Sequence, residues 1–146
     1  MSPQESITER IRNNLEEGEV CRLSPGELPG VEEAGAEVGF EVLRIDLAGC
    51  TDKNEFLDRI AEALRFPEWF GHNWDALADC LADLSWLPDM GRIIVLEHAS
   101  DFACEAPAEF TVGVEILREA SRIQGEQGLS LWVLLDLGTA PGGARD

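Results

Sequence analysis

Two uninterrupted apolar runs, Ile93 to Leu96 and Leu131 to Leu135, restrict the fold of this chain more than any other feature. Neither run alternates with polar residues, so a strand built from either must be covered on both faces, which is the pattern of a parallel sheet. Between them Val112, Ile116, Leu117, Ala120 and Ile123 recur at helical spacing within Phe110 to Gln124, and Gly125 offers a stop. A further strand is expected from Val42 to Leu47. After it Thr51 and Asp52 are N-cap candidates, with Glu55 three residues beyond Asp52 in the manner of a capping box. Phe56, Leu57, Ile60, Ala61 and Leu64 then give a helix its apolar face, and Pro67 stops it. Strand, helices, strand, helix, strand is the order of a parallel sheet with right-handed crossovers. The expected fold is α/β, a small three-stranded parallel sheet packed by three to four helices.

At 146 residues, 45% of them hydrophobic, the chain is long enough for one domain with a real core. Residues 1 to 40 read differently from the rest. Ile7, Ile11 and Leu15 suggest a short amphipathic helix from Ser6 to Glu17, ended by Gly18. Pro25-Gly26, Pro29-Gly30 and Gly35 then punctuate an acidic segment to Val38, which reads as linker or irregular edge structure. The expected division is an N-terminal extension over 1–40, a main domain over 41–137 and a frayed, Gly-rich tail over 138–146. No internal repeat is present.

A formal net charge of −18 argues against nucleic acid or an anionic membrane as partner and favours a basic one. No apolar run approaches the roughly 20 residues of a membrane helix, and no signal peptide pattern opens the chain, so a cytoplasmic location is expected. Cys21, Cys50, Cys80 and Cys104 form no C-x-x-C pair, which speaks against a zinc site. Their even number permits disulfides, but reduced thiols are the default in the cytosol.

The stretch from Phe66 to Pro88 joins aromatics to acidic residues without one Lys or Arg. Asp75, Asp79 and Asp83 are four residues apart and fall on one stripe of a helix, opposite an apolar face of Leu77, Cys80, Leu81 and Leu84. Like charges at that spacing cost about 0.2 to 0.5 kcal/mol per pair, so the stripe needs a reason. Asn73 is a natural N-cap, and the helix dipole would then welcome Asp75 in the first turn. A merely solvated acidic face accounts for Asp75 but not for Asp79 or Asp83. Catalysis has less to build on. His72 and His98 are the only histidines, and Cys80 as a nucleophile would sit on the apolar side of its helix. Asp75 and Asp79 as a glycosidase pair would lie on a convex surface rather than in a cleft. No catalytic residue, metal ligand or cofactor is assigned.

The loop Pro67-Glu68-Trp69-Phe70-Gly71-His72-Asn73, followed directly by Trp74-Asp75-Ala76-Leu77-Ala78-Asp79-Cys80-Leu81, resembles the barstar family, intracellular inhibitors of the secreted ribonuclease barnase. The resemblance spans about residues 41 to 135. It implies a three-stranded fold of the kind expected above and a function by binding. Carboxylates and aromatics would occupy a cationic ribonuclease active site as a substrate mimic. It also implies roles: Trp69 as the loop aromatic over the enzyme's catalytic histidine, Asp79 as the carboxylate in the phosphate site, Asp75 flanking it, and Glu119 as a further contact on the last helix. Phe70, Gly71, Asn73, Trp74, Ala78 and Asp83 complete the expected partner-binding surface. Ala78 stands where the family pattern has Trp, Trp74 where it has Leu, Asp83 where it has Gly, and His72 replaces an acid. Trp86 comes two positions later than the Trp there. These departures point to a different toxin. The expected protein is an inhibitor or immunity protein, monomeric when free and bound 1:1 to a basic ribonuclease or nuclease toxin. The alternative is a regulatory adaptor using the same helix on a non-nuclease partner.

Overall fold

A computed structural model of the chain describes residues 7–13, 18–24, 26–68 and 70–138. In chain order they form α1 (Ile7–Asn13), β1 (Val20–Arg22), α2 (Leu28–Val38), β2 (Glu41–Asp46), α3 (Lys53–Ala63), α4 (Trp74–Asp83), β3 (Arg92–Glu97), α5 (Ser100–Glu105), α6 (Pro107–Glu126) and β4 (Leu131–Leu135). The strands lie in the order β1-β4-β3-β2, every neighbouring pair parallel. The two uninterrupted apolar runs are thus the two central strands, with Ile94 opposite Val133. Strand β2, whose sequence EVLRID carries charge, is an edge.

The sheet has four strands rather than the expected three. The fourth, β1, comes from residues read as linker. Three residues are too short to carry a period, and β1 is specified by docking: Val133 N–H donates to Glu19 O at 3.0 Å and Leu23 N–H to Leu135 O at 2.8 Å. The acidic segment to Val38 is likewise helix α2, not irregular structure. Its Pro29 sits in the first turn, where the missing N–H costs nothing. Its Gly35 marks close packing rather than a loop, since a Cβ there would come within 2.8 Å of Val42 and 3.1 Å of Ile93.

Alternate residues of each central strand face two separate cores. On one side Phe56, Leu57, Ile60, Leu77, Leu81, Phe102 and Leu117, from α3 to α6, pack on Ile94, Leu96, Val133 and Leu135. On the other, Ile7, Ile11, Val31 and Ala34 of α1 and α2 pack on Ile93, Val95, Trp132 and Leu134. The steps from β2 to β3 to β4 run one way across the sheet through helices on the first side. The step from β1 to β2 runs the opposite way through α2 on the second. Reversing direction and side together keeps the crossover hand constant.

Local details follow the chemistry. Asp52 Oδ1 accepts from Glu55 N–H at 2.9 Å, the N-cap bond of α3, while Glu55 Oε1 reaches one residue past the cap to accept from Thr51 N–H at 3.1 Å. Helix α6 runs through Gly125, and the left-handed residue beyond its end is Gly128 (φ 84°). Its buried face is centred on Gly113, Leu117, Ala120 and Gln124, leaving Val112 39% exposed. Gly113 draws the helix round because a Cβ there would meet the Phe56 ring at 3.0 Å. Helix α5 was not anticipated, for its six residues bury only Phe102. Leu15 and the tail from residue 139 lie outside the described residues.

Candidate functional site

Helix α4 is built as its sequence dictates. Leu77, Cys80, Leu81 and Leu84 are buried, and Asp75, Asp79 and Asp83 are exposed. Asn73 Oδ1 accepts from Ala76 N–H at 2.8 Å, the expected N-cap, worth about 1 kcal/mol over Ala. Asn73 Nδ2 donates to Gly71 O at 3.3 Å, and a Cβ on Gly71 would press that amide at 3.1 Å. Gly71 and Asn73 therefore shape the entry to the helix. His72 makes the turn between them in the left-handed region (φ 53°), with Nε2 3.0 Å from Asp58 Oδ1. At the far end Asp83 accepts from Ser85 Oγ at 3.1 Å. Among the described residues Asp75 and Asp79 enter no ion pair and no side-chain hydrogen bond. No partner among the described residues explains them.

The aromatic residues divide. Phe70, expected on the docking surface, is instead a core residue at 6% exposure, its ring 4.9 Å from Phe66. The apolar loop position is satisfied by burial because Phe66 also meets Trp86 edge-on at 5.8 Å, and Trp86 Nε1 donates to Leu64 O at 3.0 Å. This cluster ties the loop before α4 to the loop after it. Trp74 is half-buried, 6.0 Å from the Phe56 ring with Lys53 Nζ 5.8 Å above its own ring. Ala78 is half-buried on the helix surface. Trp69 lies outside the described residues.

Glu119 sits exposed on α6, which packs against α4, but it is not free. Arg122 donates to both of its oxygens, at 3.1 and 2.5 Å, holding the Glu119 carboxyl below its usual pKa, and also reaches Glu126. Gln124 is a further residue of this region, absent from the expected surface. Its signal was a polar residue in line with Leu117 and Ala120, and it is 2% exposed with Nε2 3.0 Å from both Leu81 O and Ala82 O of α4.

Among the described residues nothing pairs Cys80 with His98. Cys80 is fully buried, its thiol pushed up by burial and then by the charges of Asp79 and Asp83, so it is a poor nucleophile. His98, 62% exposed at the end of β3, instead holds Asp46 at 2.8 Å. That hydrogen bond raises the His98 pKa above its ordinary 6.5, and the Ala48 N–H followed by His98 lowers Asp46 below its ordinary 3.8. The raised histidine stabilises the fold below pH 6.5 and loses this as pH rises through its folded pKa. The lowered carboxylate contributes above pH 3.8 and loses this on acidification. An NMR titration of the His98 ring should show the pKa fall toward its ordinary value in Asp46→Asn, and an unchanged titration would refute the pairing.

Comparison with solved structures finds a chain in the structure of Drosophila ORC bound to DNA that is 12% identical, with a TM-score of 0.51 over 94% of this chain and 77% of that one. At that identity the likeness concerns the fold alone. Comparison with curated proteins finds no match. Residues 40–136, two thirds of the chain and the whole span from β2 through β4, match the model of Barstar (barnase inhibitor), so the chain belongs to the barstar family of barnase-type ribonuclease inhibitors.

Proposed function

We propose that the chain is an antitoxin or immunity protein that blocks the cationic active site of a ribonuclease-type toxin with the carboxylates of α4. The observation that carries this reading is the pair Asp75 and Asp79, exposed on a capped helix and in no ion pair among the described residues. A ribonuclease holds phosphate with Arg and Lys, and a rigid carboxylate row meets the same donors without offering a bond to cleave. By the family resemblance, Trp69 supplies the aromatic over the catalytic histidine, Asp79 fills the phosphate site, and Asp75, Asp83 and Glu119 flank it. Glu119 must then exchange Arg122 for a partner cation. Trp74 and Ala78 lie on the same helix and complete the surface, while Gly71 and Asn73 contribute by setting its entry. The complex is 1:1, formed by a cytoplasmic monomer, without cofactor or nucleic acid.

An interface of this kind depends on charge at the encounter step. Raising salt from about 50 to 500 mM shortens the screening length severalfold and should slow association far more than it speeds dissociation. Stopped-flow kinetics with the purified toxin measures both rates. A salt-independent association rate would remove the substrate-mimic reading and favour the adaptor, whose interface would be apolar.

A further inference from the structure

We propose that Gln124 is the positioning residue of the docking surface: its side-chain amide, carried on α6, fixes the last turn of α4 and so places Asp79 and Asp83 relative to Glu119. This rests on α4 being the docking helix. The last four carbonyls of any helix lack an intrahelical N–H, and a glycine beyond the end is the common remedy. Helix α4 has none. Leu84 takes the left-handed conformation itself (φ 49°), and its N–H reaches Cys80 O at 3.0 Å. The next two carbonyls, of Leu81 and Ala82, are the pair that Gln124 Nε2 meets at 3.0 Å each. Two acceptors on one nitrogen settle which end of the amide points there. The backbone oxygen of Gln124 meanwhile accepts from Gln127 N–H at 3.0 Å and Leu129 N–H at 2.9 Å. One residue therefore terminates both helices.

Simple burial of a satisfied polar group does not account for the choice of glutamine. The usual complement to a helix C-terminus is a cation, which suits the negative end of the dipole. A Lys or Arg here would set a positive charge beneath Asp79 and Asp83 and cancel part of the field they present. A neutral amide supplies both donors and leaves that field intact. Gln124 also lies five residues beyond Glu119 on the same helix, so one rigid segment carries the clamp and the third carboxylate.

Gln124→Met keeps the volume and removes the donors, and Ala120→Gly lowers stability from the same buried face without touching the clamp. On the free protein, hydrogen exchange of the Leu81 to Leu84 amides should accelerate about tenfold or more in Gln124→Met beyond any change in Ala120→Gly, as expected for two stranded carbonyls. Against barnase as probe, Gln124→Met should dissociate faster while Ala120→Gly does not. If the Met variant fails to fold, Gln124→Glu replaces it, with protection of the same amides expected at acid pH, where the carboxyl can donate, and lost on ionisation. Unchanged exchange in the last turn, or equal loss in Gln124→Met and Ala120→Gly, overturns the proposal. A wild-type protein that ignores barnase has a different toxin specificity, in line with Trp74, Ala78 and Asp83, and the exchange result still decides the clamp.

Discussion

Asp79→Ala is expected to weaken toxin binding by about 2 to 5 kcal/mol, roughly 30- to 5,000-fold, and to leave the fold intact or slightly stabilised. That range is the general cost of truncating one member of a buried, hydrogen-bonded charge pair, for which the couplings between barnase and barstar are precedent. Asp79 contributes differently to the free protein and to the proposed complex. In the free protein Asp79 is exposed and has no ion pair or side-chain hydrogen bond among the described residues. It stands four residues from Asp75 and four from Asp83, each repulsion costing about 0.2 to 0.5 kcal/mol, and Ala is the better helix former. In the proposed complex its removal would strand a desolvated Arg or Lys. Glu119→Ala should cost less, because Glu119 already satisfies Arg122 and gains little by exchanging it. Calorimetric titration of the three proteins against the cognate toxin, with melting curves on each, gives the ranking. An Asp79→Ala variant that binds as tightly as wild type would sink the model.

Elements with a strong period or a strong cap were legible in the sequence. The central strands, the Asp52 cap of α3 and the Asn73 cap of α4 each rest on local chemistry, and all four expected residues of the α4 core face are buried. What was not legible depends on tertiary contact. Strand β1 exists because β4 offers it a ladder, and α2 hides glycines that serve close packing behind the composition of a loop. The buried face of α6 is turned away from Val112 because Gly113 admits Phe56, a contact between residues far apart in sequence. The proposed docking surface shows the same division. The acidic stripe follows from helical spacing alone, whereas the inward turn of Phe70 depends on Phe66 and Trp86, and the Arg122 fork on Glu119 depends on side-chain choice.

A chain beginning at residue 40 contains the whole barstar match, and it is expected to fail as a folded monomer. Residues 7–38 do not decorate the sheet but finish it. Their loss would bare Ile93, Val95, Trp132 and Leu134, each at most 1% exposed, for which burial contributes about 1.5 to 3 kcal/mol apiece. Roughly 6 to 12 kcal/mol would go, against a typical total stability of about 5 to 15. The shorter chain also saves the entropy of ordering those residues, but a second penalty remains. Without β1 the apolar run LWVLL of β4 becomes an open, uncharged edge, a template for pairing with other chains. Near-UV circular dichroism should show loss of fixed tertiary packing, and size-exclusion chromatography should show aggregates. Trp132→Ala in the full-length chain isolates the burial part, at about 3 to 5 kcal/mol by denaturant titration. A truncated protein that stays monomeric and melts within a few degrees of the full chain would show that α1, β1 and α2 are dispensable cover.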